Sequence, residues 1–345
     1  DDNGQVQSAN FPVFNLSEGD KTMLRAERGP DGALRVMMRG DVYDGRNFVK
    51  SALAGPADNQ AKPEAKDVDL DIKIGTVVGF HGETLRGLDL TMSRRGGAIK
   101  SLAMSAKLGR DAALSGDLRG RSGSRQIVYI DSKDAGAFFR FTDMYPKIFG
   151  GEMRVAMDPP TGDLTPQEGL VNIQDFSVRG EEALNRVAAG APGAQRSGVD
   201  FSRLRVEFTR TLGRFSMREG IVSGPAIGAT VEGYIDYLKD DVRMRGTFVP
   251  LYGLNNIFGQ IPLFGIFLGG GSKEGLVGVT YEVVGPPGAP TLHVNPISAV
   301  APGLLRKFFE FPNGGGQTPT SANGPFPNGD VSSGPIPQSY ADPSR

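Results

Sequence analysis

His81 and His293 are the only histidines in the sequence, and cysteine is absent. Neither histidine has a His or Cys partner at ligand spacing, so zinc binding, thiolate chemistry and disulfides have no residues to work with. Two pairs of acids could be cast as general acid and base: Asp69 with Asp71, and Asp131 with Asp134. Asp69 and Asp71 stand two apart in an alternating run, which places both on the polar face of a strand, the ordinary setting of solvated carboxylates. Gly269-Gly270-Gly271-Ser272-Lys273 resembles a phosphate loop, but the leading glycine spacing and the preceding strand are missing. A turn between an apolar segment and a strand is the simpler reading. The expectation is a protein that is not an enzyme, with no cofactor and no metal.

Composition narrows the classes further. Lys plus Arg is 38 against 39 for Asp plus Glu, a formal charge of -1, so the basic surplus of a nucleic-acid binder is missing. Aromatics are 8% with no Trp, which leaves a carbohydrate-active enzyme without stacking platforms or clustered acids. The 345 residues exceed the roughly 250–300 at which a single core stops growing. Several domains or one elongated architecture must follow.

The elements favour elongation. Val68-Asp69-Leu70-Asp71-Ile72-Lys73-Ile74 alternates with a period of two. The same period returns at 88–92, 153–157, 204–208, 242–248 and 277–283. Less regular strands fit 99–108, 113–119, 126–131, 170–179, 215–218, 230–238 and 291–294, each bounded by a turn signal such as Arg95-Gly96-Gly97. The 49 glycines suit so many hairpins and bends. The fold class is therefore mainly β: an elongated antiparallel meander with one apolar and one solvated face. Helices are too few to cover the apolar face, so the sheet must roll into a filled sandwich or a U-shaped trough. The alternation puts Leu70, Ile72, Ile74, Leu88, Leu90, Val155, Leu204, Val206 and Phe208 on that face, as a candidate groove.

Helical patterns cover Gly45–Leu53, Ala135–Phe149, Glu181–Ala189 and Pro302–Phe311. Four regions result: N-terminal strands and a linker over 1–66, an amphipathic trough over 67–246, an apolar cap over 247–312 and a low-complexity disordered tail over 313–345. No charge occurs between Gly246 and Ser272, but its Asn, Gln, Pro and Gly residues argue against a spanning helix. Phe258, Phe264, Phe267, Leu304, Leu305, Phe308 and Phe309 are candidates for shallow membrane contact, with a buried cap over the sheet end as the alternative. The opening Asp1-Asp2-Asn3-Gly4 carries no signal peptide and no initiator Met, as expected of a piece of a longer protein.

Four stretches carry a resemblance to a known family. Lys133-Asp134-Ala135-Gly136-Ala137 with Phe149-Gly150-Gly151-Glu152-Met153 is one, and Gly40 through Phe48, with Tyr43-Asp44-Gly45-Arg46 at its centre, is another. Ile261-Pro262-Leu263-Phe264-Gly265 is the third. Gly275 through Tyr281, continued by Asn295-Pro296 through Pro302-Gly303, is the most specific. Together they resemble the C-terminal region of YhdP- and TamB-type members of the AsmA-like family of Gram-negative bacteria. That resemblance implies a periplasmic protein held in the inner membrane by an N-terminal segment absent from this chain. It implies a long β-trough (a β-taco) with short helices at its C-terminal end. The implied role is passage of phospholipid between inner and outer membrane along an apolar groove, contributing to outer-membrane integrity. The implied partners are phospholipid, a membrane surface on the outer-membrane side and envelope proteins, with no nucleic acid. A scaffold for outer-membrane biogenesis, built on a sandwich filled by its own side chains, is the alternative.

Overall fold

The computed structural model describes residues 7–54, 67–120, 126–160, 165–182, 184–185, 194–195, 198–225, 227–250 and 279–295. Residues 251–278 and 296–312 of the expected cap, the seven membrane-contact candidates and the tail lie outside these residues. So do most of the helix expected at Glu181–Ala189, all of Pro302–Phe311 and the glycine run at 269–273.

One sheet organises everything described. It begins with β1 (Ser8–Phe11), β2 (Lys21–Arg28) and β3 (Leu34–Asp44), followed by helix α1 (Arg46–Ala54). Then come β4 (Val68–Val78), β5 (Thr84–Arg95), β6 (Ala98–Leu108), β7 (Ala112–Gly120) and β8 (Gln126–Ser132). Helix α2 (Ala135–Phe141) separates these from β9 (Ile148–Met157) and β10 (Gln167–Arg179). The two-residue β11 (Ala194–Gln195) lies beside β12 (Gly198–Thr211). The sheet ends with β13 (Arg214–Ser223), β14 (Ile227–Asp236), β15 (Asp241–Pro250), β16 (Val279–Gly285) and β17 (Thr291–Asn295).

Apart from β11, every strand pairs with the next in the chain, and β17 forms no ladder with β1, so the sheet is open. It extends through β1–β3, ahead of the trough expected to start at 67, and the expected division at 246/247 falls inside β15. The meander has one departure: β3 and β4 are parallel, with Leu34 opposite Val68 and Asp44 opposite Val78. A parallel pair needs a crossover of a dozen or more residues, and residues 45–67, containing α1, supply it.

Helix α2 is shorter than the expected Ala135–Phe149. Thr142 caps it, Asp143 has φ 57°, and Ile148 and Phe149 already belong to β9. The Asp134 side chain accepts from the Ala137 N–H at 2.8 Å and satisfies one of the free donors at its start.

The sheet is bent and coiled. Arg210 of β12 donates to the Ala52 carbonyl of α1 at 2.5 Å, and a β-carbon on Gly213, in the β12–β13 turn, would stand 2.7 Å from the Ala54 carbonyl oxygen. Eight pairings separate β3 from β12, about 40 Å along a flat sheet. A twist of roughly 20–25° per pairing amounts to about half a turn over that span. Val49 of α1 and Phe138 of α2 both pack into the apolar clusters.

Candidate functional site

The ladders align the apolar side chains into lines running across the strands. Phe11, Leu24, Met38, Ile72, Leu90, Met104, Gly116 and Ile130 lie opposite one another in turn. The line continues through Val155, Val171, Val206, Gly220, Val231, Gly246, Tyr281 and Val294. One residue comes from each of sixteen strands, and none is charged. The neighbouring line, on the other face, reads Arg39, Lys73, Asp89, Ser105, Ser115, Asp131, Arg154, Asn172 and Arg205 before it reaches Ile221. Alternation along each strand and in-register pairing between strands thus make one apolar and one polar surface.

All nine candidate groove residues fall on the apolar face. Ile72, Leu90, Val155 and Val206 share the central line. Leu70 faces Met92, Ile74 faces Leu88, Leu204 faces Ile173, and Phe208 lies opposite Gly169. Their exposure differs along the sheet. Leu70, Ile72, Leu88, Leu90 and Leu204 are half-buried, whereas Ile74, Val155, Val206 and Phe208 are buried.

Helix α2 lies between the two parts of this face. Its residues divide the interior into two clusters, one over β3–β7 and one over β9–β16, and only Ile130 and Phe138 belong to both. Ala135 and Ala137 are fully buried. A β-carbon on Gly136 would stand 2.6 Å from the Ile148 carbonyl and 2.7 Å from Phe149 Cα, so only glycine lets α2 lie against β9. At the other end Arg140 donates to Glu83 in the β4–β5 turn at 2.8 Å, and His81 Nε2 meets Asp143 Oδ1 at 2.6 Å. The Asp-Ala-Gly-Ala run is thus a cap, two small buried contacts and a backbone seat. The cluster over β9–β16 is filled by its own rings, with Phe176 on Phe201 at 5.3 Å, Phe208 by Phe215 at 5.8 Å and Phe248 on Tyr281 at 4.2 Å.

Polar candidates are occupied in structural roles. Asp69 pairs with Arg95 at 2.8 Å, whose guanidinium holds its carboxyl below the usual aspartate range, and Asp71 pairs with Arg39 at 2.5 Å. Asp131 lies between Arg119 and Arg154, and Asp134 caps α2. His293 of β17 lies opposite Glu282 of β16. Among the described residues no group of three His, Cys, Asp or Glu could hold a metal, and no helix is long and apolar enough to cross a membrane.

Two clusters escaped the sequence reading. Tyr145 and Lys147 both donate to the buried Glu181, at 2.9 and 2.8 Å. Burial, with Glu181 beside it, pushes the Tyr145 hydroxyl well above the usual tyrosine range. Arg94 follows Leu90 and Met92 at the two-residue period, which places it on the apolar face at the end of β5, between Val68 and Ile99. A charged residue closing an apolar alternation was the available signal for it.

The chain matches no family model, no curated protein and no solved structure.

Proposed function

We propose that this protein carries phospholipid between the inner and outer membranes of a Gram-negative envelope, its acyl chains lying on the apolar face of a sheet curled into a U-shaped trough. The uncharged line across sixteen strands supports this most directly. An acyl chain laid on such a face recovers about 0.8 kcal/mol per buried methylene, which offsets its departure from a bilayer. The head group stays in water at the open edge, so no catalytic constellation is needed. The setting is the periplasm, with anchoring in the inner membrane supplied by an upstream segment, as the AsmA-like resemblance implies. Phe258, Phe264, Phe267, Leu304, Leu305, Phe308 and Phe309 are assigned to contact with the outer-membrane side, where envelope proteins would also dock.

Native mass spectrometry of the purified protein tests the reading: co-purified phospholipid is expected, and its complete absence after reconstitution with vesicles sinks it. Flotation with vesicles tests the membrane contact separately. Serine at Phe264, Phe267, Phe308 and Phe309 is expected to abolish flotation without lowering the melting temperature.

A second reading rests on the stacked rings over β9–β16. A sheet filled this way fits a non-enzymatic scaffold for outer-membrane assembly, which would carry no lipid at all.

A further inference from the structure

We propose that α1 is a strap on the apolar face, caught at its far end by Arg210, that lifts when an acyl chain takes its place. This rests on the lipid-carrying reading and gives that reading a gate. The start of α1 is fixed to the sheet. The Gly45 N–H donates to the Val78 carbonyl at 2.9 Å, and the Asp44 side chain accepts from the Arg46 N–H at 3.1 Å. Beyond that start the hold is slight. None of the nine residues is buried, and the contact with the apolar clusters is made through Val49. A helix this short is marginal alone, since isolated helices need about 12–15 residues. α1 also has no basic residue in its last turn, where the free carbonyls gather negative charge. Arg210 supplies that charge from β12 by donating to the Ala52 carbonyl. It follows Leu204, Val206 and Phe208 at the two-residue period, so it stands on the apolar face, opposite the buried Gln167. A second hydrogen bond, to Gln167 Oε1 at 3.0 Å, aims the guanidinium. α1 therefore touches the apolar face twice, at the β3–β7 cluster through Val49 and at the end of β12 through Ala52. A ligand that needs the surface under Val49 binds the lifted state better, and so shifts α1 toward it.

The test is hydrogen exchange on the full chain, read by mass spectrometry at the amides of residues 49–54. R210Q is expected to speed their exchange roughly tenfold with β9 and β10 unchanged, and R210K to recover most of the protection. Dioctanoylphosphatidylcholine below its micelle concentration is expected to speed the same amides about fivefold in wild type. Glycerophosphocholine, the same head group without acyl chains, is expected to leave them unchanged. R210Q, with its strap already lifted, is expected to bind the lipid about threefold tighter. Equal exchange in wild type and R210Q, or a rise that β9 and β10 share, overturns Arg210 as the catch. Lipid bound in native mass spectra without faster exchange at 49–54 overturns the gate and leaves lipid carriage standing. Weaker lipid binding by R210Q also overturns the gate. No bound lipid at any concentration overturns the gate and the lipid-carrying reading together.

Discussion

The Phe141 ring lies over Gly79, its Cγ 2.8 Å from where a β-carbon on Gly79 would stand. In a disulfide one sulfur lies about 3 Å from the other cysteine's β-carbon, and a cysteine sulfur takes the place of Cγ. Gly79→Cys with Phe141→Cys is therefore expected to oxidise readily, and the absence of native cysteine removes competing pairs. Closing the 79–141 loop should stabilise the oxidised form over the reduced one by up to about 4 kcal/mol. Melting curves with and without reductant measure it. Failure to oxidise would show that α2 does not rest on the β4–β5 turn.

Gly136→Ala sets two effects against each other. Alanine is favoured over glycine in a helix by about 1 kcal/mol. The added methyl meets only backbone atoms of 148–150, which cannot swing aside. Overpacking is expected to win, with a net loss of about 1–3 kcal/mol in urea unfolding. A net gain would mean the seat is looser than the geometry here.

Glu181→Ala removes the acceptor shared by Tyr145 and Lys147 and leaves a buried hydroxyl unpaired. A loss of about 2 kcal/mol is expected, with Glu181→Gln costing less because its amide oxygen still accepts from the tyrosine. Equal unfolding midpoints for the two variants would rule out the acceptor role.

The Asp69 carboxyl is held below its ordinary pKa chiefly by the hydrogen bond from Arg95. A depressed folded-state pKa gives stability that is present above the unfolded value, about 4, and is lost as pH falls below it. The melting temperature should drop between about pH 4 and pH 2, and less steeply in Asp69→Asn. Parallel slopes for the two proteins would assign the acid sensitivity to other carboxylates.

Much of the sheet was legible because alternation is local. Val68–Ile74 and Leu204–Phe208 declare their buried faces residue by residue, and Gly96-Gly97 sits at φ 56° and 79° in the hairpin turn they announce. The parallel β3–β4 pair was not legible, because face pattern is the same in either direction and only the crossover decides it. The overrun of α2 had a warning in the sequence: Tyr145-Pro146 disfavours helix at the preceding residue. That α2 lies on the apolar face and divides it depends on Gly79, Glu83 and Gly136, residues far apart in sequence, and no window of neighbours contains that relation. The alternation assigned the candidate groove residues to a face but not to a degree of burial, since half-burial at Leu90 and full burial at Val206 are set by what else packs there.

The pairing of each strand with the next has a kinetic side. Nearly every ladder can form as soon as its second strand is available, so contact order is low for a β protein of this size and assembly can proceed in the direction of synthesis. Two steps break that sequence. β3 must wait for residues 45–67 before it meets β4, and α1 cannot contact Arg210 and Ala54 cannot approach Gly213 until some 160 further residues have been added. During that interval the apolar face is complete along β2–β8 while α1 still lacks its contacts with β12 and the turn after it. A nascent chain in that state offers a long sticky sheet, which is where a holding chaperone would be needed most.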